Sequence, residues 1–269
     1  MYTRLFIRCA SSLLYISLLV ILISTGVCKK INFTVALDPG HGGINFGAPN
    51  PHKEGHYEKE YTLSIAKYVR KNLKKAGIKV WMTRTKDRGL GLQKRVQKAN
   101  LKGADAFISI HINDAYVVGP KGHGTFFLTR EAFEESRIRL KQFYRKNENK
   151  ILKKHVKLVP KNKQVQELLL ELVHQQAQHE SSYLAHMVNQ GLLEHSKFGT
   201  RGVKQGNFGI LKGITVPTIV CEVGFINHPK EGPYVTSVEG MKTIAKGIAL
   251  GIMRYVTVRK EIPLKIPKL

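Results

Sequence analysis

The sequence predicts one α/β domain built on a mostly parallel, twisted sheet of about six strands, flanked by helices and carrying a helical insertion. Three short runs, residues 35–37, 106–108 and 218–220, are apolar on both faces, which is typical of parallel strands covered by helices. Helical patterns separate the runs. With 269 residues and no Ser-, Gly- or Pro-rich linker, the chain suits one substantial domain with extensions.

The elements follow one another as strand, helix, strand, helix, strand. A helix is expected over residues 60–76, because Leu63, Ala66 and Leu73 recur at helical spacing and Gly77 provides a stop. The pattern then predicts a strand at 78–82, a helix at 91–102, and strands at 104–110, 123–129, 208–211 and 218–223. An amphipathic helix at 237–255 closes the domain, which we place at residues 32–256 before a tail at 257–269.

Residues 131–195 break this rhythm because they are long, highly charged and helical in pattern. Pro160 divides them. The second half, residues 164–193, has enough apolar periodicity to pack on the sheet. The first half, residues 137–157, has too little apolar surface to be core and suits a mobile arm or lid. We therefore place a helical insertion, and a candidate regulatory arm, at residues 131–163.

The first 28 residues have the composition of an export signal. Arg4 and Arg8 precede an apolar segment at residues 13–23, and small residues follow it. An uncleaved membrane anchor is the alternative, since Lys29 and Lys30 come directly afterwards. We therefore expect an exported protein of the periplasm or cell envelope, in which Cys221 is the only cysteine outside the leader and is a buried, inert thiol.

The chain is strongly basic. Its formal net charge is +25, and leaving out Arg4 and Arg8 of the leader lowers it to +23. Such a charge attracts polyanions such as nucleic acid, anionic lipid or acidic cell-wall polymer. Export argues against nucleic acid, and a membrane contact is expected only through an uncleaved leader.

Polar clusters follow the three apolar runs at residues 38–43, 109–113 and 221–225. Because ligands bind at the carboxyl ends of parallel strands, we expect His41, His111 and Glu222 to converge. Two imidazoles and a carboxylate suit Zn²⁺ with a fourth position open for water. Glu58 and Glu60 are equally placed to provide a ligand, and the loop histidines His52 and His56 compete.

Glu222 suits the role of catalytic carboxylate, because a carboxylate at the end of an apolar strand is otherwise costly. It could receive the proton of a zinc-activated water and deliver it to a leaving amine. A helix cap or a buried ion pair is the structural alternative for this residue.

An ordered set of motifs extends over nearly all of residues 32–255. It comprises LDPGHGG at 37–43, YEKE at 57–60, TR at 83–84, LQKR at 92–95 with AN at 99–100, SIHIN at 109–113, RGVKQ at 201–205 and EVGFIN at 222–227. In these stretches the chain resembles the zinc-dependent N-acetylmuramoyl-L-alanine amidases of bacterial cell-wall remodelling.

The resemblance implies one zinc ion held by His41, Glu58 and His111, with Glu222 as the catalytic carboxylate. It favours Glu58 over Glu60. The implied reaction is hydrolysis of the amide between N-acetylmuramic acid and L-alanine in peptidoglycan or muropeptides. Asn113 and Arg201 are candidate substrate-binding residues.

Division-associated members of that family carry a helical segment that covers the metal and offers it a carboxylate. Residues 131–163 occupy the same place, and residues 168–173 resemble the helix that follows the segment. The hypothesis of autoinhibition has four candidate carboxylates, namely Glu131, Glu134, Glu135 and Glu148. Solvated charge is the alternative for these side chains, and a role in daughter-cell separation would imply an activator protein of the division machinery.

Two rival functions are weaker. Ser64 and Lys67 have the Ser-x-x-Lys spacing of penicillin-binding enzymes and D,D-carboxypeptidases, but no Lys-Thr-Gly or Ser-Asp-Asn partner accompanies them. The other rival is a non-catalytic peptidoglycan-binding module, which the presence of His41, Glu58, His111 and Glu222 disfavours.

Overall fold

Six strands form one sheet in the order β2-β1-β3-β6-β4-β5. Their bounds are β1 (Thr34–Pro39), β2 (Lys79–Met82), β3 (Ala106–Asn113), β4 (His123–Leu128), β5 (Thr200–Gly206) and β6 (Thr218–Phe225). Strands β2, β1, β3 and β6 are parallel, β4 runs antiparallel to β6, and β5 is parallel to β4. The predicted mostly parallel sheet is therefore confirmed, and the ends of β1, β3 and β6 lie side by side at one edge.

This computed structural model describes residues 32–117, 119–147 and 151–261. They belong to one compact unit, which begins at Asn32. The predicted leader, the carboxylate of Glu148 and residues 262–269 lie outside the described residues. Among the helices of the described part, none is both long enough and apolar enough to cross a membrane.

Helices cover both faces of the sheet. They are α1 (Glu58–Lys75), α2 (Leu92–Leu101), α3 (Phe133–Lys146), α4 (Leu152–His155), α5 (Lys163–Leu193), α6 (Glu231–Thr236) and α7 (Val238–Glu261). On one face, Ala36, Phe107 and Val220 of the sheet pack against Val96 and Ala99 of α2. On the other face α7 packs between α1 and α5. The core is thus a sheet buried on both sides, as the uninterrupted apolar runs require.

Helix α1 begins two residues before its predicted start, which brings Glu58 into its first turn. Glu58 and Glu60 lie in that turn and Lys74 and Lys75 in the last one, so the side-chain charges complement the helix dipole. The helix ends before Gly77, which has φ of 76°. This start directs Glu58 towards the end of β1.

One predicted strand is wrong and one strand was not predicted. Residues 208–211 contain a 3₁₀ turn at Gly209–Leu211 instead. Its apolar residues Ile210 and Leu211, which suggested a strand, are buried against α2. The sixth strand is instead β5, whose sequence TRGVKQG has little apolar character. It lies at the sheet edge and is largely exposed, so it carries no buried-strand pattern.

The insertion was predicted to have too little apolar surface for a core, and this expectation is wrong. Leu140, Phe143, Ile151 and Leu152 are buried together with Leu170 of α5 in a second hydrophobic cluster. The prediction failed because these apolar residues are spread over three helices, and they form a core only when the helices pack. The insertion therefore has a core of its own.

The insertion joins the sheet at its amino edge, opposite the ends of β1 and β3. Lys154 of α4 forms an ion pair with Asp105, which precedes β3, at 3.3 Å. In α3, the hydroxyl of Ser136 accepts a hydrogen bond from Gly213 N at 2.9 Å, and His174 of α5 bonds Ile214 O. These contacts fix the insertion at the starts of β3 and β6.

Both ends of the described unit lie at this amino edge. The ring of Phe33, before β1, meets the ring of Tyr255 in α7 edge-on, with centroids 6.2 Å apart. Helix α7 continues past its predicted end to Glu261, so residues 257–261 belong to the helix and the expected tail is shorter.

Candidate metal centre and active site

The first polar cluster forms a tight loop after β1. Its His41 has φ of 61°, a left-handed conformation that a side chain rarely adopts. Two contacts hold the loop in place, since Gly40 N donates to Ile110 O at 2.9 Å and Arg95 donates to His41 O at 2.6 Å. The strained backbone turns the imidazole of His41 towards α1.

Glu58 connects the two histidines. Its Oε2 lies 2.8 Å from His41 Nε2, and its Oε1 lies 3.0 Å from His111 Nδ1. The same oxygens accept hydrogen bonds from Ala48 N and Ile112 N. Burial alone would raise the pKa of Glu58, but the hydrogen bonds with His111 and His41 outweigh it and hold that pKa well below its usual range.

Two glycines make room for these side chains. A Cβ on Gly40 would lie 2.6 Å from His111 Nδ1, so the ring of His111 packs directly on the Gly40 backbone. At Gly47, where φ is 71°, a Cβ would lie 2.6 Å from Glu58 Oε2. Any other residue at either position would push a cluster side chain out of place.

The donor set suits a metal ion. One ligand atom from each of His41, Glu58 and His111 lies within 4.8 Å of the others, which is the only such group of three His, Cys, Asp or Glu side chains in the described part of the chain. Two imidazoles and a carboxylate are typical ligands of catalytic zinc. Asn45 Oδ1 accepts from His41 Nδ1 at 2.8 Å, which leaves Nε2 to face the centre of the group.

Glu222 lies beside this group. It is paired in register with His111 across β3 and β6, and its side chain is buried. Its Oε2 has no hydrogen-bond partner among the described residues. Burial raises the pKa of Glu222 to about 7, and the negative charge of Glu58 adds to the increase. A carboxyl group with this pKa can both accept and release a proton near neutral pH.

A buried charge network supports the loop from below. Asp38 accepts hydrogen bonds from Thr83 at 2.5 Å, Arg95 at 2.8 Å and Ser109 at 2.9 Å. The guanidinium of Arg84 donates to Gly40 O at 2.7 Å. Asp38, Arg84 and Arg95 belong to the sequence motifs at 37–43, 83–84 and 92–95, but no role could be predicted for them. The only signal was a charged residue next to an apolar strand, which by itself does not specify a partner.

A second buried carboxylate supports the end of β6. Glu231 accepts hydrogen bonds from Gly122 N at 3.0 Å and Phe225 N at 3.0 Å, and burial raises its pKa. It packs against Gly224, which has φ of 145°. Glu231 thus ties the turn after Glu222 to the start of β4, a role that the sequence did not reveal.

The competing metal donors lie elsewhere. His56 pairs with Glu60 at 2.5 Å, and both side chains are partly exposed. The backbone N–H of His52 donates to Asn50 at 2.9 Å. The geometry therefore brings Glu58 into the cluster and leaves Glu60 outside it.

Of the other predicted site residues, Asn113 and Arg201 lie at the edge of the sheet that carries the metal cluster. Ser64 and Lys67 lie within α1. Asn113 ends β3, and its carbonyl oxygen accepts from Ile226 N at 2.8 Å. Arg201 is exposed on β5 and its guanidinium stacks 5.2 Å from the ring centre of Phe225. Ser64 donates to Glu60 O at 2.9 Å within α1, and Lys67 is exposed.

The glutamates of the insertion bond to groups other than the metal cluster. Glu131 accepts from Thr129, Glu134 pairs with Arg137, and Glu135 pairs with Lys212. The arrangement described here has none of these three carboxylates in the cluster. Autoinhibition by Glu131, Glu134, Glu135 or Glu148 stays a prediction.

The chain is similar in sequence to proteins of a known family. The family model described as N-acetylmuramoyl-L-alanine amidase matches residues 35–254. The chain belongs to this family. The amidase is 31% identical over 221 residues to N-acetylmuramoyl-L-alanine amidase AmiA of Escherichia coli K12, and the match covers 82% of this chain and 75% of the relative.

The fold is also similar to solved structures of amidases. The fold is similar to that of N-acetylmuramoyl-L-alanine amidase AmiC2 of Nostoc punctiforme, with a TM-score of 0.62, 25% identity, and coverage of 84% of this chain and 97% of that one. For an N-acetylmuramoyl-L-alanine amidase of Clostridium difficile 630 the TM-score is 0.63, with 25% identity and coverage of 84% and 98%. The protein is therefore an N-acetylmuramoyl-L-alanine amidase that acts on peptidoglycan, and neither rival function is favoured.

Proposed function

We propose that the amidase uses one zinc ion, held by His41, Glu58 and His111, and that Glu222 transfers the proton during hydrolysis of the bond between N-acetylmuramic acid and L-alanine. The observation that carries the proposal is the convergence of the three ligand atoms within 4.8 Å beside a buried carboxyl group. The family to which the chain belongs is generally zinc-dependent.

Each residue has a separate task. Zinc, when bound, supplies Lewis acidity towards an amide carbonyl and makes a water molecule more acidic. Glu222 accepts the proton of the attacking water and gives it to the leaving amine of L-alanine, which needs a pKa near the working pH. Asn113, at the end of β3, and Arg201, at the start of β5, are our candidates for contacts with the substrate.

The cellular part of the proposal is export to the periplasm or cell envelope and a role in daughter-cell separation. The composition of residues 1–28 supports export. The likeness of residues 168–173 to a helix of division-associated amidases supports the cellular role. Control by an activator protein stays a prediction.

The test is the release of free stem peptide from purified peptidoglycan, measured by mass spectrometry together with the zinc content of each variant. Glu222→Gln should keep its zinc and lose roughly 10²–10⁴-fold in rate, because the proton carrier is gone. Glu58→Gln should lose the zinc, whereas Glu60→Gln, its neighbour in the same helical turn, should retain both zinc and rate.

Two results would count against this assignment. Full peptide release by a zinc-loaded Glu222→Gln would remove Glu222 from the mechanism. Unchanged zinc content in Glu58→Gln would mean that the metal is held by other residues.

A further inference from the structure

The amino edge of the sheet carries a basic segment that no part of the amidase reaction uses. Lys153, Lys157, Lys161 and Lys163 are all exposed in the segment that leads from α4 into α5. Residues 149–166 contain no acidic residue. Positive charge is therefore concentrated at one end of the insertion.

An apolar side chain stands in the middle of these lysines. Leu158 is 85% exposed, whereas its neighbour Val159 packs against the second hydrophobic cluster. The apolar tip therefore projects from an ordered base. Exposed apolar groups surrounded by lysines are typical of surfaces that bind the interface of an anionic bilayer.

Acidic groups around the segment are already paired, but in the described part of the chain Lys153, Lys157, Lys161 and Lys163 are not. Asp105 pairs with Lys154 at 3.3 Å, and Glu171 pairs with Lys141 at 2.8 Å. Within the described residues, none of the four exposed lysines takes part in an ion pair. Their charges are free to meet an external anion.

More lysines lie at the same edge. Lys74 and Lys75 end α1 there, and Lys79 begins β2. Lys79 Nζ also donates to Asn32 Oδ1 at 3.2 Å, at the point where the described unit begins. The 31 residues before Asn32 include the apolar run 13–23 with basic residues on both sides.

We propose that this amino edge, including Leu158, rests on the anionic phospholipid surface of a membrane. Each lysine close to such a surface strengthens binding about fivefold. A soluble acidic polymer would satisfy the lysines but gives no reason for an exposed Leu158. His41 and His111 lie at the opposite edge of the sheet and would then face away from the lipid.

The test is fluorescence quenching of Leu158→Trp in the full chain, incorporated into vesicles that contain bromine-labelled phosphatidylglycerol. The parent chain corrects for Trp81, and Val238→Trp is the control at the opposite edge, where Val238 is 56% exposed. We expect strong quenching at position 158, weak quenching at 238, and loss of the quenching at 158 when the bromine label is carried by zwitterionic phosphatidylcholine in vesicles without anionic lipid.

A matched pair of charge variants tests the lysines. Replacing Lys153, Lys157, Lys161 and Lys163 by Gln in the Leu158→Trp chain should reduce the quenching roughly tenfold or more. The same change at four exposed lysines of the carboxyl edge, Lys53, Lys121, Lys197 and Lys230, should leave it unchanged.

Equal quenching at positions 158 and 238, or none at 158 in the anionic vesicles, would overturn the proposal. So would lysine-dependent binding to a soluble polyphosphate without quenching at 158, which would assign the surface to an acidic polymer. These outcomes are independent of peptide release, so the proposed catalytic role of Glu222 is tested separately.

Discussion

The amidase contains two charge networks that differ in their exposure. At the carboxyl edge, Asp38 and Arg95 pair at 2.8 Å with 1% and 4% of their side chains exposed. Along α3 and α5, Lys141 pairs with Glu171 at the same distance, but 24% and 27% of these side chains are exposed. Equal geometry therefore does not imply equal importance, because burial decides what happens when one partner is lost.

Arg95→Met is expected to have the largest effect, a loss of about 3–5 kcal/mol in the free energy of unfolding. The substitution leaves Asp38 buried without its cation and removes the donor that holds His41 O. Denaturant unfolding would measure the loss, and zinc content would report on the loop. A loss below about 1 kcal/mol would show that water replaces the guanidinium and that the two networks are equivalent.

Leu140→Ala should destabilise the protein by about 2–5 kcal/mol, because Leu140 is buried in the hydrophobic cluster of the insertion. Denaturant unfolding measures this, and Ile138→Ala on the same helix is the control, since Ile138 is 47% exposed. Equal, small effects of both substitutions would support the mobile arm predicted from composition.

His174, in α5, should make the stability of the domain sensitive to acid. Burial lowers the pKa of His174 to about 4, against 6.5 for an ordinary histidine. Its stabilising contribution is complete above pH 6.5 and falls as the pH drops towards 4, because the unfolded chain takes up the proton first. The loss over this window should be about 3 kcal/mol.

The measurement is the free energy of unfolding from pH 7 to pH 4 for the parent chain, His174→Gln and His186→Gln. His186 is exposed on the same helix, so its variant should follow the parent. His174→Gln should show a flatter dependence, and a profile parallel to that of the parent would exclude His174 as the cause.

Lys141→Met should have the smallest effect, about 0–1 kcal/mol, although it removes two ion pairs. Added salt should reduce even this difference, since exposed charges are screened. The comparison with Arg95→Met is direct, because both substitutions replace a cation by the same side chain. A loss as large as that of Arg95→Met would mean that exposure does not separate the networks.

The sequence predicted the parts of the molecule that rest on local patterns. Apolar runs located β1, β3 and β6, and the polar residues after them located His41, His111 and Glu222. Those predictions succeeded because strand direction alone brings the ends of parallel strands to one edge. Glu58 needed the family resemblance, since Glu58 and Glu60 are equally placed in sequence and only the helix start separates them.

Features that depend on long-range packing were missed. Strand β5 has an exposed, polar sequence, and its pairing with β4 is what defines it. The core of the insertion arises from apolar residues on separate helices. Arg95 contacts Asp38, a residue 57 positions away, and no local pattern specifies that contact.

The meeting of Phe33 and Tyr255 at the amino edge has a practical consequence. A reporter protein fused after α7, or a linker to a solid support ahead of Asn32, would start from the side of the domain opposite His41. Immobilised enzyme should then keep the edge that carries His41 open to large fragments of wall, whereas attachment through Lys53 or Lys230 would bring the support against that edge.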